Sequence, residues 1–517
     1  MCAGSVVHVG TEWMILVVLG VALIALVVWD LVQKRHSILR NWPILGHFRY
    51  LLELIGPELR QYIVTSNNSE RPFSRDQRRW IYSTAKGQDT RFGFGTDVDL
   101  ESTANQVIVR PSAFAPPGIA PIPGAPIPVA KVLGGARGRV KAFRQESIVN
   151  ISGMSWGALS GPAIESLNRG AQGAGALHCT GEGGLSPYHQ NGGELVFQVG
   201  TGYFGCRDAS GRFDLRRLVE LCDANPVRAI EIKLSQGAKP GLGGMLPAAK
   251  VTAEIAAIRG VPQGQDCVSP AYHSEFSDED DLLDFVELIA DATGLPVGIK
   301  SAVGDEGFWH RLAALMADGS RGVDFIVIDG GEGGTGAAPL AFSDNVSLPL
   351  TLALSSVVRI FGEHGIQESV VFVGSGRLGL PERGLEAFAM GADAINVGRE
   401  AMLAVGCIQA QRCHTGHCPT GVATQSKWLM RGIDTNSKSD RVERYVVGIR
   451  EEILQLARAA GARHPAEVGP HAVDLLDGHE GSRSIGAVFG LTPHWTTPSD
   501  EDLEKFFAEW PPVPAVR

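Results

Sequence analysis

The first strong pattern along this chain is an uncharged hydrophobic run near its start. The run covers residues 13–29, and extending it to Val32 brings it to about the twenty residues that a helix needs to cross roughly 30 Å of hydrocarbon. Trp13 and Trp29 stand at its two ends, where interfacial aromatic residues belong. The pattern therefore predicts a transmembrane helix over residues 13–32.

The charges that flank this run predict its orientation. Glu12 and no Lys or Arg precede the run, whereas Lys34, Arg35 and Arg40 follow it. The positive-inside rule therefore places the downstream body in the cytoplasm. The absence of a basic n-region argues against a cleaved signal peptide, and a buried core helix is the remaining alternative. We expect an extracytoplasmic stub (residues 1–12), a single membrane-spanning helix in contact with lipid, and a cytoplasmic catalytic body.

The region between this helix and residue 146 has a mixed pattern. Residues 50–63 have the periodicity of an amphipathic helix, and the basic stretch 71–80 is interpreted as a solvated or headgroup-facing surface. Seven prolines crowd into residues 111–128, where they predict an extended linker because proline removes backbone donors and fixes φ. We therefore expect a helical and proline-rich extension over residues 33–146.

From about residue 147, short apolar β-branched runs alternate with alanine-rich helical segments. The runs are SIVNIS, RAIEIKL, PVGIK, DFIVID, VVFVG and DAINVG. Alternating strands and helices predict a parallel sheet, and glycine-rich turns just after the strands favour a closed barrel, whose working loops lie there. We therefore predict the α/β class, with a (β/α)8 TIM barrel over residues 147–430. A charged helix over residues 441–460 would belong to a helical C-terminal extension, residues 431–517.

Composition limits the classes of function without naming one. Hydrophobic residues make up 44% of the 517 residues and charged residues 20%, which excludes a disordered chain. The 64 glycines exceed the usual share and indicate many tight turns and close backbone approaches to a ligand. Because 46 basic residues face 56 acidic ones, the net charge is −10, and nucleic acid is not an expected partner.

Three of the eight cysteines crowd into the segment CIQAQRCHTGHCPTGVATQ. Zinc normally takes four ligands, often from paired CxxC units. Three thiolates followed by a proline are more typical of an iron–sulfur ligand run, and three ligands suit a cluster that is short of one iron. We therefore predict that Cys407, Cys413 and Cys418 hold a 3Fe–4S cluster. Zinc bound with His414 or His417 and a purely structural set of cysteines are the alternatives.

Two glycine-containing loops follow the last two predicted strands. VGSGRLG carries Gly374, Gly376 and Arg377, and NVGRE carries Gly398 and Arg399. In a (β/α)8 barrel, the loops after the seventh and eighth strands bind phosphate through backbone N–H groups. A Rossmann fingerprint would instead need an acidic residue that closes the next strand. The two loops therefore indicate a mononucleotide phosphate, with FMN as the leading cofactor.

Further glycine-rich loops and three lysines also follow predicted strands. The loops are residues 180–184, 236–247 and 329–339. Glycine lets a backbone approach a flat ring, and a lysine can stabilise a reduced flavin or bind a carboxylate. Lys233 and Lys300 lie inside apolar runs, which favours function over a surface charge, and Lys239 lies in a loop. We predict that Glu182 and Lys233 are catalytic, with Glu182 assisting proton transfer near the flavin; a structural turn residue is the alternative for Glu182.

Together these segments resemble the FMN- and iron–sulfur-binding synthase domain of glutamate synthase. The matching segments are ISGMSWGALS, CTGEGG, EIKLSQGAKPGLGG, GGTGAAP and the cysteine segment, in the family's order between about residues 148 and 425. The resemblance implies a (β/α)8 barrel that binds FMN, with the three cysteines holding a 3Fe–4S cluster. It also implies reductive amination, in which 2-iminoglutarate, made from 2-oxoglutarate and ammonia, takes a hydride from reduced flavin that the cluster supplies with electrons.

The resemblance also assigns roles to individual positions. The residues expected to bind the cofactor are Met154, Ser155, Gln198, Lys233, Lys300, Gly333, Gly334, Gly374, Gly376, Arg377, Gly398 and Arg399. Lys239 and Arg259 keep the family's positions for binding a substrate carboxylate, and Ser277 is matched to a third.

Three departures separate this chain from complete glutamate synthases, and one of them is the absence of the family's lysine before the QV of the strand near Phe197. No segment before residue 148 matches their glutaminase domain, so we expect ammonia from glutamine to come from another chain or not to be used. The family motif QGAKPGEGGQLP has a glutamine that contacts 2-oxoglutarate at the position of Met245. The anchor and the short extension resemble stand-alone, membrane-anchored glutamate-synthase-like FMN proteins of bacteria.

The sequence therefore predicts an FMN- and iron–sulfur-dependent oxidoreductase that acts at a CH–NH₂ centre. Its expected reaction is reductive amination of 2-oxoglutarate to glutamate without a glutaminase domain of its own. A flavin oxidoreductase for another amino or keto acid is the second hypothesis, and a membrane-tethered electron-transfer partner is the third. The expected partners are a dicarboxylate or amino-acid substrate, a separate electron donor and a separate glutaminase subunit.

Overall fold

The structure is a computed structural model that describes residues 5–91, 93–114, 116 and 123–510. Parts of the predicted stub (residues 1–4), of the proline linker (115 and 117–122) and of the C-terminal extension (511–517) lie outside the described residues. Contacts divide the chain into two compact units, one that ends at Asp76 and one that begins at Gln77.

The first unit is helical. Its helices are Ser5–Val32, Ser37–Asn41 and Leu45–Leu59, followed by a π-helical turn at Arg60–Val64. Residues Glu12–Val32 have a mean hydropathy of 2.9, which makes them a candidate membrane span by length and composition. The amphipathic helix begins before the predicted residue 50, because the Asp30 carboxylate accepts hydrogen bonds from the Ile44 N–H and the His47 ring and so fixes its first turn.

The interpretation of residues 71–80 as a solvated surface is wrong. Residues Arg75–Lys86 form an α-helix that buries Arg78, Ile81 and Ala85. Trp80 Nε1 donates a hydrogen bond to the Glu452 carboxylate at 3.2 Å. Charged residues dominate the composition of this stretch. The buried positions are three to four residues apart and therefore share one face of the helix.

Eight parallel strands close a barrel in the second unit, so the predicted (β/α)8 TIM barrel is confirmed. The strands are β1 Val149–Ile151, β2 His178–Cys179, β3 Leu195–Val199, β4 Val227–Lys233, β5 Val297–Ser301, β6 Phe325–Asp329, β7 Val371–Ser375 and β8 Ala394–Val397. Strand β8 pairs with β1 through Ile395 and Val149, which closes the ring. Nearly every strand residue is buried, as expected where side chains fill the barrel on one face and helices cover the other.

Helices follow most of the barrel strands. They are Gly161–Ala174, Leu215–Asp223, Ala253–Arg259, Glu279–Thr293, Glu306–Met316, Leu340–Asn345, Leu350–Glu363, Pro381–Ala389 and Arg399–Val405. Several begin at a capping side chain that accepts a backbone N–H of the first turn, as Ser160, Asp214, Thr252 and Asp305 do. A short antiparallel pair, Met245–Leu246 with Cys267–Val268, projects after β4.

The C-terminal extension is helical only in part. The short helix Lys427–Met430 precedes it, and its own helices are Thr435–Ala459, Ile485–Phe489, Pro493–Thr496 and Asp500–Glu509. The predicted helix over 441–460 begins earlier, because the Asp434 carboxylate caps it by accepting from the Ser437 N–H at 2.8 Å. Strands Val473–Asp477 and Ser482–Ser484 form a three-stranded antiparallel sheet with Ala104–Val109, which no sequence pattern indicated.

We expect Arg139→Met to destabilise the barrel strongly. The buried Arg139 guanidinium pairs with Asp324 at 3.0 Å and donates to Glu287 at 2.9 Å. Asp324 is fully buried just before β6, so removal of its cation leaves an unpaired buried carboxylate, which costs about 3–5 kcal/mol. Urea unfolding should show a lower midpoint. Arg321→Met, at a more exposed ion-pair site, is the matched control; equal effects of the two substitutions would contradict the prediction.

Candidate active site

The carboxyl-terminal ends of the barrel strands hold most of the predicted site residues. Gln198 lies in β3, Lys233 ends β4 and Lys300 lies near the end of β5. The two predicted phosphate loops begin at the ends of β7 and β8. These residues meet because the carboxyl ends of parallel strands lie at one rim of the barrel.

Glu182 and Lys233 form an ion pair at this rim. Their Oε1 and Nζ atoms are 2.8 Å apart, and Lys233 also donates to Gln236 Oε1 at 3.0 Å. Burial alone would raise the pKa of Glu182, but Lys233, Lys239 and Arg259 together hold the pKa below its usual value of 4.5. Glu182 is therefore an ionised carboxylate that can accept a hydrogen bond or a proton.

The Glu182 ion pair predicts a specific pH dependence of stability. Because the folded-state pKa is lowered, the carboxylate stabilises the fold above pH 4.5, and this contribution is lost as the pH falls through the lowered pKa. Glu182→Gln should therefore cost about 1–3 kcal/mol near pH 7 and progressively less below pH 4.5. Urea unfolding between pH 3.5 and 7 tests this, with the exposed Glu254→Gln as control. A constant difference across that range would refute the prediction.

Lys300 is a second fixed cation, deeper in the barrel. Its Nζ is 3.3 Å from Asp329 Oδ1, and Asp329 accepts further hydrogen bonds from Ser375 Oγ at 2.6 Å and from the Gly237 N–H at 2.8 Å. Burial opposes its charge, but Asp329, Glu231 and the Cys179 thiol raise the pKa of Lys300 above its usual value. Asp329 therefore connects the cation to the end of β7 and to the loop after β4.

The side chain of Gln198 is buried and contacts other polar residues of the barrel strands. Its Nε2 donates to Glu231 Oε1 and lies 3.7 Å from Cys179 Sγ. Burial raises the pKa of Glu231. Glu231 also interacts with Lys300. Gln198 and Glu231 therefore belong to the same buried polar cluster as Lys300.

The two predicted substrate cations lie near Glu182. Lys239 is 4% exposed and donates to the Gly243 carbonyl at 2.7 Å. Arg259 is 6% exposed and donates to the Trp156 carbonyl at 3.2 Å, while its Nε has no hydrogen-bond partner in the described part of the chain. With Lys233, three cations surround one carboxylate, so the pocket has an excess of positive charge.

The structure does not bring Ser277 to this group. Ser277 is exposed, and its hydroxyl donates to Asp281 Oδ2 at 2.9 Å at the start of the helix Glu279–Thr293. We therefore leave Ser277 out of the substrate group. Met245 is 47% exposed and faces Val268 across the short antiparallel pair.

The loops that carry the other cofactor residues pack closely against one another. A Cβ on Gly181, whose φ is +69°, would lie 2.6 Å from the Ser155 amide nitrogen, which places the TGEGG loop against Met154 and Ser155. A Cβ on Gly334 would lie 2.5 Å from the Arg399 side chain, and Arg399 donates to the Glu332 carbonyl. Only glycine permits these approaches.

The loop of Gly374, Gly376 and Arg377 is followed by a residue, Gly379, that is fixed by two hydrogen bonds. Gly376 has a φ of +145° and Arg377 a φ of +55°, so the chain turns sharply after β7. Behind this turn, the Gly379 N–H donates to the Glu400 carboxylate at 3.2 Å, and the Tyr445 hydroxyl donates to the Gly379 carbonyl at 2.8 Å. The second loop, Gly398 and Arg399, begins directly after β8.

The cysteine segment lies beside this rim. A Cβ on Gly336, in the loop after β6, would lie 3.3 Å from Cys413 Cβ. Lys250 Nζ donates to the carbonyls of Cys413 at 2.7 Å and Ala423 at 3.3 Å, and the Tyr82 hydroxyl donates to the Cys407 carbonyl at 2.7 Å. The backbone of the segment is therefore anchored to two separate parts of the unit.

The three thiols have different surroundings. Burial raises the pKa of Cys407 to about 12 and also raises that of Cys413. Burial acts the same way on Cys418, but hydrogen bonds from the Thr420 hydroxyl and from backbone N–H groups lower its pKa overall. His414 and His417 are exposed, and in the described part of the chain no three His, Cys, Asp or Glu side chains form a site for a single metal ion.

Several residues of the candidate site were not predicted from the sequence. They are Glu231, Lys250, Asp329, Ser375 and Tyr445. Asp329 ends a predicted strand immediately before GGEGG, and this position could have identified it as a site residue. Lys250 and Tyr445 reach the site only through tertiary contacts that no local pattern records.

The chain is similar in sequence to glutamate synthases. The family described as "Conserved region in glutamate synthase" matches residues 136–463. The glutamate synthase large subunit-like protein YerD of Bacillus subtilis is 36% identical over 465 residues, which cover 84% of this chain and 88% of that protein. The archaeal glutamate synthase [NADPH] of Methanocaldococcus jannaschii is 37% identical over 326 residues, covering 62% of this chain and 60% of that protein.

The chain therefore spans less than two thirds of the length of that archaeal synthase. Among solved structures, a flavocytochrome b2 variant with bound pyruvate shares 14% identity at a TM-score of 0.44, covering 88% of this chain and 90% of that one.

The family match and the Bacillus relative each cover more than half of the chain, which confirms the resemblance and the predicted enzyme class, an oxidoreductase acting on CH–NH₂ donors. The chain belongs to the glutamate synthase family.

Proposed function

We propose that this protein is an FMN- and iron–sulfur-dependent oxidoreductase that reduces 2-iminoglutarate, formed from 2-oxoglutarate and ammonia, to glutamate. The observation that carries the proposal is the excess of positive charge at the rim, where Lys233, Lys239 and Arg259 surround Glu182. The reduction adds one hydride to the imine carbon and one proton to its nitrogen. Both relatives named above carry glutamate synthase in their names.

The cations would bind and orient the substrate. A dianionic substrate balances the excess charge, and Lys239 and Arg259 would hold its carboxylates, since buried cations are costly without an anionic partner. Lys233 holds Glu182 by its 2.8 Å ion pair. Glu182 would in turn accept a hydrogen bond from the iminium N–H and so hold the imine carbon in position.

The loops at the rim fit a bound flavin mononucleotide. The loops of Gly374–Arg377 and Gly398–Arg399 would hold the phosphate, and Met154 and Ser155 with Gly333 and Gly334 would approach the ring. Glycine at these positions lets the loops pack closely on one another and leaves their backbone N–H groups without a covering Cβ, which suits close contact with a phosphate or a flat ligand. When bound, FMN supplies the hydride. Lys300 would stabilise negative charge on the reduced ring.

The cysteine segment fits a three-iron cluster better than a single ion. Among the residues that the structure describes, no three His, Cys, Asp or Glu side chains form a site for a single ion, whereas three thiolates suit a cluster that is short of one iron. The donor set contains three thiols, and N–H groups and a hydroxyl point at Cys418, as is usual around cluster sulfurs. We propose that Cys407, Cys413 and Cys418 hold a 3Fe–4S cluster that passes electrons to the flavin.

Cys413→Ser should separate the two cofactors. We expect the full-length variant to lose most of about three irons per chain while keeping about one FMN, because the phosphate loops do not include the cysteines. Metal analysis of anaerobically purified protein and flavin absorbance measure both quantities. Cys222→Ser, at a buried cysteine outside this segment, is the matched control. Zinc in place of iron in the parent protein would refute the cluster assignment.

A substrate screen tests the proposed reaction. The anaerobically reduced full-length protein is mixed with ammonium and one keto acid at a time, and flavin oxidation and amino-acid formation are followed. We expect 2-oxoglutarate to oxidise the flavin and yield glutamate. Faster oxidation by another keto acid would favour the second hypothesis, and no oxidation by any keto acid would favour an electron-transfer partner. We propose a separate electron donor and a separate glutaminase subunit as partners.

We further propose that residues Glu12–Val32 anchor the protein, with the catalytic body in the cytoplasm. The apolar composition of this helix and the basic residues Lys34, Arg35 and Arg40 after it support this orientation. A reporter fused after Arg517 should behave as cytoplasmic. Periplasmic reporter activity would refute the orientation.

A further inference from the structure

The helix Leu45–Leu59 carries an apolar stripe that no described residue of the first unit covers. Its members recur every three to four residues and so share one face of the helix. They are Leu45 (71% exposed), Phe48 (63%), Leu52 (44%), Ile55 (38%) and Leu59 (38%). Five large side chains on one face exceed the scattered exposure that is usual for a soluble surface, and such stripes mark an interaction surface.

The start of this helix is fixed at the end of the candidate span. The Asp30 side chain is fully buried in the last turn before Val32. It accepts hydrogen bonds from the Ile44 N–H at 3.0 Å and from His47 Nε2 at 2.9 Å. The apolar stripe therefore begins where the span ends, and Trp42, 65% exposed, lies at the same junction.

The two helices do not cover one another's apolar side chains. The span residues from Trp13 to Trp29 are almost all exposed, and so is the whole stripe. Lipid would surround the span. Because the stripe starts at the end of the span, lipid would also be within reach of the stripe. A helix of fifteen residues extends about 22 Å, which is ample for lying along a membrane surface.

The charges around the stripe favour an anionic surface. Between residues 33 and 64 the basic residues are Lys34, Arg35, Arg40, Arg49 and Arg60, against two acidic residues, Glu53 and Glu58. Arg49 and Glu53 pair at 2.8 Å, with Arg49 at the border of the stripe and Glu53 on the polar side of the helix. This local excess of positive charge contrasts with the net charge of −10 for the whole chain.

We propose that the helix Leu45–Leu59 lies in the membrane surface, with Leu45, Phe48, Leu52, Ile55 and Leu59 among the lipid acyl chains and the basic residues at anionic headgroups. An apolar face bordered by Lys and Arg is the feature by which interfacial helices bind such membranes. The inference rests on the proposed anchor. It gives the protein a second membrane contact, which fixes the orientation of the chain that leaves the span.

Photocrosslinking of the full chain tests this inference. The photoreactive residue p-benzoylphenylalanine replaces Phe48, Leu52 or Ile55, one at a time, in protein reconstituted in vesicles of phosphatidylcholine and phosphatidylglycerol. Replacement of Glu53, on the polar side of the same helix, is the matched control. We expect at least about five-fold more lipid adduct at the three stripe positions than at position 53.

The other outcomes overturn the inference in distinguishable ways. If the chain fails to float with the vesicles, the anchor and the surface helix are both refuted. If it floats but the three positions give adducts with a second copy or another protein, or give no more lipid adduct than position 53, only the surface helix is refuted. Flavin oxidation by 2-oxoglutarate, measured separately on the parent chain, reports on the proposed reaction.

Discussion

Gly237→Ala is expected to disrupt the rim of the barrel. A Cβ on Gly237 would lie 1.9 Å from the Gly330 carbonyl oxygen, far inside contact distance. That oxygen belongs to the backbone just after β6 and cannot rotate away, and the Gly237 N–H donates to Asp329 in the same region. One of the two loops must therefore move, which we expect to cost about 3 kcal/mol or more of unfolding free energy.

The effect should extend to substrate binding, because Lys239 lies two residues after Gly237. We expect the affinity for a carboxylate ligand to fall at least about ten-fold, measured by calorimetry together with urea unfolding. Gly304→Ala is the matched control, since it also follows a barrel strand but its Cβ would meet nothing within 4 Å. Unchanged stability and binding in Gly237→Ala would show that the two loops are not packed as described.

The fold was predictable because barrel strands are buried on both faces. Six strands appear in the sequence as apolar β-branched runs. The short strand β2, His178–Cys179, offers no run at all, and it is defined by pairing with its neighbours. The helix Arg75–Lys86 was missed because its charges dominate its composition, while its buried positions depend on tertiary packing.

The site was predictable wherever a motif fixes the chemistry. The glycine loops, Glu182, Lys233 and the cysteine segment could be named because each lies in a short, distinctive motif. Lys250 could not, since its role depends on a hydrogen bond to a residue 163 positions away. Ser277 was the least secure of the three substrate matches, and in the structure it is exposed and donates a hydrogen bond to Asp281.

Met245 is the position at which this chain departs from the family motif that contacts the substrate. In the family, a glutamine at this position contacts 2-oxoglutarate, and methionine cannot donate that hydrogen bond. One lost hydrogen bond to a charged group costs roughly 1.5–3 kcal/mol, about a ten- to hundred-fold loss of affinity. Met245 is half exposed, so a replacement side chain has room to adopt a binding conformation.

Lys239→Ala should abolish binding of any carboxylate ligand, and Met245→Gln should strengthen 2-oxoglutarate binding by up to about a hundred-fold. Lys239 is 4% exposed and interacts with the Glu182 carboxylate, and the proposed substrate would supply a further anionic partner, whereas Met245 affects only one hydrogen bond. Calorimetry with 2-oxoglutarate and with a monocarboxylic keto acid measures both effects, and the exposed Lys427→Ala is the control. If Met245→Gln leaves 2-oxoglutarate binding unchanged and Lys239→Ala has no effect, the pocket does not bind the substrate as proposed. In that case glutamate is not the product, and an amino or keto acid without a second carboxylate becomes the better candidate.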